Sequence, residues 1–144
     1  MKQELDEKLV KAFPLLYGDR NAPMQSTAMC WGFPSDGWFD IIWDLSSKLE
    51  PLIQKFIDES QDTELYPKAA QVKEKFGGLR FYMTCGTDEI YDLISEAEAL
   101  SLKTCEECGK PGEAIGLGWI HTLCYDCHEN WDEIRANKWK VSDE

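Results

Sequence analysis

Two C-x-x-C pairs near the end of the chain constrain its fold more than any other feature. Cys105 and Cys108 form the first pair, Cys124 and Cys127 form the second, and fifteen residues separate the two pairs. A C-x-x-C turn presents two thiolates to one ion, and zinc prefers four such ligands in a tetrahedron. The second pair opens a predicted helix, whose N-terminus stabilises thiolate charge. The spacing therefore predicts a zinc ion bound by all four cysteines.

The predicted role of this zinc is structural. The order of knuckle, short hairpin and helix resembles that of treble-clef zinc fingers. Four thiolates close a zinc site, whereas a hydrolytic zinc keeps one position open for water. An iron–sulfur cluster also uses four cysteines, so the choice between zinc and iron stays open. A thioredoxin-like redox site needs one C-x-x-C within a βαβ pattern and fits poorly.

Cys30 and Cys85 lie outside the two pairs and are predicted to be buried apolar thiols.

His121 raises the question of catalysis, because it lies three residues before Cys124. Some treble-clef nucleases place a catalytic histidine on this hairpin. They generally carry an acidic residue beside it and further His and Asn residues on the next helix. Here the stretch GWIHTLC holds no acidic residue, and the helix offers only His128 and Asn130. We therefore predict an ordinary surface or capping histidine, with catalysis by His121 as the alternative.

Length, composition and charge limit the function classes that this chain can belong to. With 144 residues, 43% of them hydrophobic, it is long enough for one packed domain, or one domain with a small appendage. No apolar run approaches the roughly 20 residues that span a bilayer, and the charged start resembles no signal peptide. These features predict a soluble cytoplasmic protein. The formal net charge of −12 opposes tight non-specific binding of nucleic acid and suits a partner protein with a basic surface.

The hydrophobic pattern predicts an α+β fold. Apolar spacing indicates helices over residues 2–13 and 88–102, and a longer helical stripe from Phe39 to Phe56 in which Pro51 should cause a kink or a new start. A loop rich in Pro, Gly, Asn and Ser lies between the first two helices. Alternating residues on both sides of Gly77-Gly78 predict a β-hairpin with these glycines in the turn. We expect a helical and β-hairpin domain over residues 1–103, with a zinc-finger module over 104–144 packed on it.

Two groups of residues outside the cysteine module are candidates for binding. Lys73, Lys75 and Arg80 make the hairpin locally basic in an acidic protein, although they can also pair with the acidic helix that follows. Trp31 and Trp38 bracket the turn-rich stretch WGFPSDGW, which suits either a lid on the core or an interaction site.

The stretches VKEKFGGLRFY and CWGFPSDGWFDII, followed by the paired C-x-x-C motifs, resemble a family of short uncharacterised proteins of bacteriophage and bacterial genomes. The likeness covers about Met29 to Cys127. It implies a phage or prophage setting and action inside a bacterial host. The resulting hypothesis is a zinc-stabilised, non-enzymatic protein that binds a host protein, such as a defence or nucleic-acid-handling factor. The alternative is a nucleic-acid-binding or nuclease-like protein that uses the basic hairpin and His121.

Overall fold

The computed structural model describes the backbone of residues 1–142 and the side chains of residues 1–137. Within this part of the chain the helices and strands follow in the order α1 (Gln3–Ala12), α2 (Phe39–Ser60), β1 (Ala69–Lys75), β2 (Gly78–Met83), α3 (Asp88–Ser101), β3 (Glu113–Ile115), β4 (His121–Leu123), α4 (Tyr125–Glu129) and α5 (Trp131–Ser142). The predicted module over 104–144 extends two residues beyond the described ones.

The fold is α+β, as the sequence predicts. Strands β1 and β2 form one antiparallel two-stranded sheet, and β3 and β4 form a second. None of the helices in the described part has both the length and the apolar character needed to cross a membrane.

Helix α2 is the centre of the main core. It buries Ile42, Leu45, Leu49 and Ile53, whose spacing of three and four residues puts them on one face. The sequence predicts a kink or a new start at Pro51; no new helix starts there, because α2 runs through that position from Phe39 to Ser60. Pro51 lies on the exposed side, where water can solvate the carbonyl group that loses its amide partner. Helices α1 and α3 and the β1–β2 hairpin pack around α2.

The loop between α1 and α2 is fixed to α2 by buried polar contacts. The Tyr17 hydroxyl and Ser46 Oγ lie 2.6 Å apart in the interior. Burial raises the pKa of Tyr17, so its phenol stays protonated. The Glu50 carboxylate accepts hydrogen bonds from the amides of Leu15 and Leu16 at 2.8 and 2.9 Å. The loop is therefore an ordered layer of the core, interrupted by two short 3₁₀ turns at Ala28–Trp31 and Asp36–Trp38.

The turn of the first hairpin differs by one residue from the sequence prediction. Phe76 and Gly77 occupy the turn with φ of +54° and +78°, and Lys75 pairs with Gly78. Two positive φ values indicate a type I′ turn, which matches the twist of the flanking strands. The Gly77 amide donates to the Glu74 carboxylate at 2.7 Å, and Thr122 Oγ1 donates to the Gly77 carbonyl. These contacts hold Gly77 in the turn, so the prediction of a Gly77-Gly78 turn is wrong.

Two further predictions need correction. The helix expected after the second cysteine pair is divided into α4 and α5, with Asn130 between them. Cys85 is exposed and Cys30 is half-buried, so the prediction of two buried thiols is wrong for Cys85.

The two adjacent glycines allow a matched test of the hairpin turn. Gly77→Ala should lower the free energy of unfolding by about 1–2 kcal/mol, because alanine disfavours positive φ. A Cβ at Gly77 would also lie 3.0 Å from Thr122 Oγ1. Gly78→Ala should lower the free energy of unfolding by less, because φ at Gly78 is not positive. A Cβ at Gly78 would have a terminal methyl group of Leu102 as its nearest neighbour, at 3.1 Å. Urea unfolding of both variants measures the difference, and an equal or larger loss for Gly78→Ala would contradict the observed turn.

Candidate functional site

The four predicted metal ligands come together in the C-terminal module. One sulfur atom from each of Cys105, Cys108, Cys124 and Cys127 lies within 4.8 Å of the others. The sulfurs of Cys108 and Cys124 are 3.5 Å apart, and all four cysteines are free thiols. Tetrahedral zinc with Zn–S bonds of about 2.3 Å places its sulfurs about 3.8 Å apart. The cluster therefore has the donor set and the spacing to hold a metal ion.

Local backbone geometry brings these sulfurs together. The first pair lies in a knuckle in which the Cys105 amide donates to the Lys110 carbonyl at 2.7 Å, and Gly109 takes a φ of +82°. The second pair lies at the start of α4, where the Cys127 amide donates to Cys124 Sγ at 3.4 Å. This bond lowers the pKa of Cys124 to about 7. Burial raises the pKa of Cys108 and Cys127, and a bound cation would stabilise the thiolate form of both.

The stretch before α2 packs directly against the cysteine knuckle. The Gly37 amide donates to the Glu106 carbonyl at 2.9 Å, and the Trp38 indole N–H donates to the Thr104 carbonyl at 2.9 Å. A Cβ at Gly37 would overlap the Cys105 carbonyl oxygen, so only glycine allows this close approach. Trp38 is fully buried at this contact. It belongs to the core, and its place in the predicted binding set is wrong.

A cleft of about 660 Å³ opens where the knuckle and the second hairpin meet the first hairpin. One side is the segment 31–35, the next is β1 from Gln71 to Glu74, and the third is the C-terminal module with Trp119, His121 and Arg135. Trp31 and Trp119 each expose 73% of their surface at this cleft. We call this space the cleft from here on. Its size is that of a small-ligand site or of a groove for part of a partner chain.

His121 lies in the cleft and is held by a buried carboxylate. Its Nδ1 is 2.6 Å from Oε1 of Glu106, a residue that is only 4% exposed. The rings of Trp119 and Trp131 lie beside the imidazole, with centroid distances of 5.9 and 4.7 Å. Burial raises the pKa of Glu106, while the bonds from His121 and Thr122 favour its ionised form.

Glu106 is the site residue that the sequence argument missed. His121 has no acidic neighbour along its own hairpin, but the knuckle supplies one from fifteen residues earlier in the chain. A usable signal exists, since Glu106 lies inside the first C-x-x-C pair, and a site shared by both pairs would bring that pair to the end of the strand that carries His121.

Glu74 joins Glu106 and His121 in a second group that has the donors for a cation, all within 4.8 Å of one another. Each of the three already has a protein partner. Glu106 accepts from His121 and from the Thr122 amide, and Glu74 accepts from the Gly77 amide through one oxygen. Glu106 thus ties the knuckle to the second hairpin, and the bond from Thr122 Oγ1 to the Gly77 carbonyl ties the second hairpin to the first.

The predicted basic residues lie together on the first hairpin, but only one of them lines the cleft. Lys73 lines the cleft, with its ammonium group 5.8 Å from the centre of the Tyr82 ring. Lys75 lies 5.5 Å from the ring of Phe76 at the turn, and Arg80 lies opposite Lys73 on β2. Only Lys73 and Trp31 of the predicted binding set line the cleft, and Trp119 joins them there.

Loss of one thiolate should remove the metal and destabilise the C-terminal module. For Cys108→Ser we expect metal content to fall from about one ion per chain to near zero, with a lower melting temperature. Cys85→Ser is the matched control, since Cys85 is exposed and lies outside the cluster. Elemental analysis with thermal melting measures both effects, and unchanged metal content in Cys108→Ser would contradict the four-cysteine site.

Comparison with known proteins assigns no function to this geometry. No family model matches the chain, and neither a curated protein nor a solved structure matches it. The phage-protein resemblance stays a prediction, and the function has to be inferred from the site itself.

Proposed function

We propose that this chain is a non-enzymatic binding protein in which a structural zinc ion holds one side of a partner-binding cleft. The observation that supports this most directly is the pair of exposed tryptophans, Trp31 and Trp119, on the cleft. Large aromatic side chains contribute much of the energy of protein interfaces when a partner buries them. Each is 73% exposed in the free chain, so each has a large apolar surface to bury on binding.

Zinc is the ion that this donor set favours. Four cysteine thiolates suit zinc and close its tetrahedron, leaving no position for an activated water. The metal then stabilises the fold and takes no part in chemistry. The small core of the module supports this role, since its buried apolar members among residues 104–137 are Cys105, Leu123 and Cys124. A core of this size needs an additional source of stability, which a bound metal ion would supply.

The proposed partner is a protein with a basic surface. The chain carries 27 acidic and 15 basic residues, so a basic partner gains from the field of the whole molecule. Following the resemblance to phage and bacterial proteins, we place this partner in the cytoplasm of a bacterial host, as a defence or nucleic-acid-handling protein. The charge argues against tight, non-specific binding of free nucleic acid.

Binding through the cleft predicts a clear difference between aromatic variants. Immobilised wild-type protein should retain a defined host protein from a nuclease-treated lysate. The Trp31→Ala, Trp119→Ala double variant should retain at least about tenfold less, because two large contacts are lost. Tyr91→Ala is the matched control, since Tyr91 is 46% exposed on α3 and lies outside the cleft. Metal content and thermal melting show that each variant is folded. Equal retention by all three proteins would contradict a role for the cleft.

A second candidate function is hydrolysis of nucleic acid, and the Glu106–His121 pair is what favours it. A carboxylate that holds Nδ1 of a histidine orients the ring and leaves Nε2 able to accept a proton, which is the arrangement of a general base. The same pair also serves as a structural tie, as described above. The net charge of −12 opposes a nucleic-acid substrate.

Binding and cleavage assays with DNA distinguish these two functions. With random duplex DNA and Mg²⁺ at physiological salt, we expect neither sub-micromolar binding nor cleavage by the wild-type protein. His121→Asn, whose side-chain amide can still donate to Glu106, should fold and keep its metal. Cleavage by wild type that His121→Asn lacks would support the hydrolytic function instead. A gel-shift and a cleavage assay on the same samples provide both readings.

A further inference from the structure

The two edges of the β1–β2 sheet differ. Helix α3 covers the edge of β2, whereas part of the edge of β1 has backbone groups without a hydrogen-bond partner among the described residues. On β2, the amides of Leu79 and Phe81 point away from β1. They donate to Ser101 Oγ and Glu98 Oε2 on α3, at 2.9 and 3.0 Å. Helix α3 thus covers the outer edge of β2 with side-chain acceptors. An uncovered strand edge invites pairing with another chain, and covering it is the usual protection.

The register shows which groups of β1 point the other way. Leu79 lies opposite Glu74, and Phe81 lies opposite Val72. In an antiparallel pair, residues opposite each other alternate between hydrogen-bonded and non-hydrogen-bonded positions. Since Leu79 and Phe81 direct their amides outward, these are non-hydrogen-bonded positions. The amide and carbonyl groups of Val72 and Glu74 therefore point away from β2 as well.

The backbone groups at the start of this edge form hydrogen bonds within the chain, whereas those further along β1 have none among the described residues. The Ala69 amide donates to the Leu16 carbonyl at 2.9 Å, and Thr27 Oγ1 donates to the Ala70 carbonyl at 3.3 Å. Among the described residues, no hydrogen bond is found for the outward backbone groups of Val72 and Glu74. Val72 is only 2% exposed and lies on the cleft. Buried backbone groups are nearly always paired, so this stretch offers two amides and two carbonyls to an occupant of the cleft.

We propose that the open edge of β1 binds an extended segment of the partner protein as a third strand, with a lysine or arginine of that segment beside Glu74. This inference rests on the proposed function and names its mode of recognition. The outward amides and carbonyls of β1 recur at every second residue. An extended peptide has amides and carbonyls at the same spacing, so it can pair with them. The cleft of about 660 Å³ lies along this stretch of β1, between segment 31–35 and the second hairpin.

Charge and aromatic rings determine the side chain that the segment presents. Glu74 faces the cleft and uses only one of its oxygens, for the Gly77 amide. Two cationic side chains of the cleft already lie beside aromatic rings: Arg135 is 5.9 Å from the centre of the Trp119 ring, and Lys73 is 5.8 Å from that of Tyr82. The free carboxylate oxygen of Glu74 is therefore the group that favours a basic side chain. A basic residue flanked by apolar ones therefore fits the cleft better than an acidic one.

The test uses random peptides displayed in a library and selected on the intact, zinc-loaded chain. We expect selected peptides to carry Lys or Arg within an apolar sequence. One such peptide is then synthesised with a single N-methyl group at each amide in turn. Methylation of the amides that face β1 should weaken binding at least about tenfold, while methylation of the intervening amides should change it little. The effect should alternate along the peptide, which side-chain contacts alone do not produce.

Two further measurements separate this mode from binding in the cleft by other contacts. Hydrogen exchange of the Val72 and Glu74 amides should slow when the peptide binds. Glu74→Gln should remove the preference for Lys or Arg without preventing folding. If a selected peptide depends on Trp31 and Trp119 but shows no alternation and no amide protection, edge pairing is wrong while the proposed function stands. Failure to select any peptide also overturns edge pairing, and the lysate experiment tests the proposed function independently.

Discussion

One buried residue, Glu106, connects the cysteine knuckle to the second hairpin and to the stretch before α2. The Glu106 side chain accepts from His121 and from the Thr122 amide, its carbonyl accepts from Gly37, and its amide donates to the Thr122 carbonyl at 2.9 Å. Burying a charge is costly unless partners satisfy it, and breaking such a group by removing one partner leaves the others unsatisfied. Glu106 follows Cys105 directly, so the same short knuckle that presents thiols to the metal also joins the second hairpin to the stretch before α2.

The metal and the cleft are therefore linked through folding. The C-terminal module has a small core, and its hairpin strands have only three residues each. A module of this kind gains most of its stability from a bound ion. Loss of the ion would release Glu106 and His121 from their fixed positions, and with them one side of the cleft. A metal ion bound by the four cysteines would thus be necessary for the proposed binding without contacting a partner, so metal dependence of that binding would not be evidence for metal chemistry.

Local patterns predicted the parts of this structure that depend on local physics. The cysteine spacing is enough to predict the four-sulfur cluster, and apolar periodicity is enough for α1, α2 and α3. The hairpin turn lies one residue earlier than the glycines predict, because Gly77 and Gly78 both tolerate positive φ and the choice depends on Glu74 and Thr122.

Trp31 and Trp38 occupy one turn-rich stretch without periodicity, so the sequence could not show that the first is exposed and the second buried. Glu106 and His121 meet only because the module folds, which is why no local pattern revealed the pair.

The open edge of β1 lies where a protein can keep one without aggregating. An exposed, flat and apolar edge pairs with any other edge, whereas charged residues and covering loops limit this. Here the segment 31–35 and the second hairpin stand on either side, and Lys73 and Lys75 lie on the same strand. Two copies of a chain with a net charge of −12 also repel each other. In the proposed mode of binding, charge would disfavour pairing with another copy of this chain and would favour an extended segment of opposite charge. This difference gives the cleft selectivity without requiring a deep pocket for any one side chain.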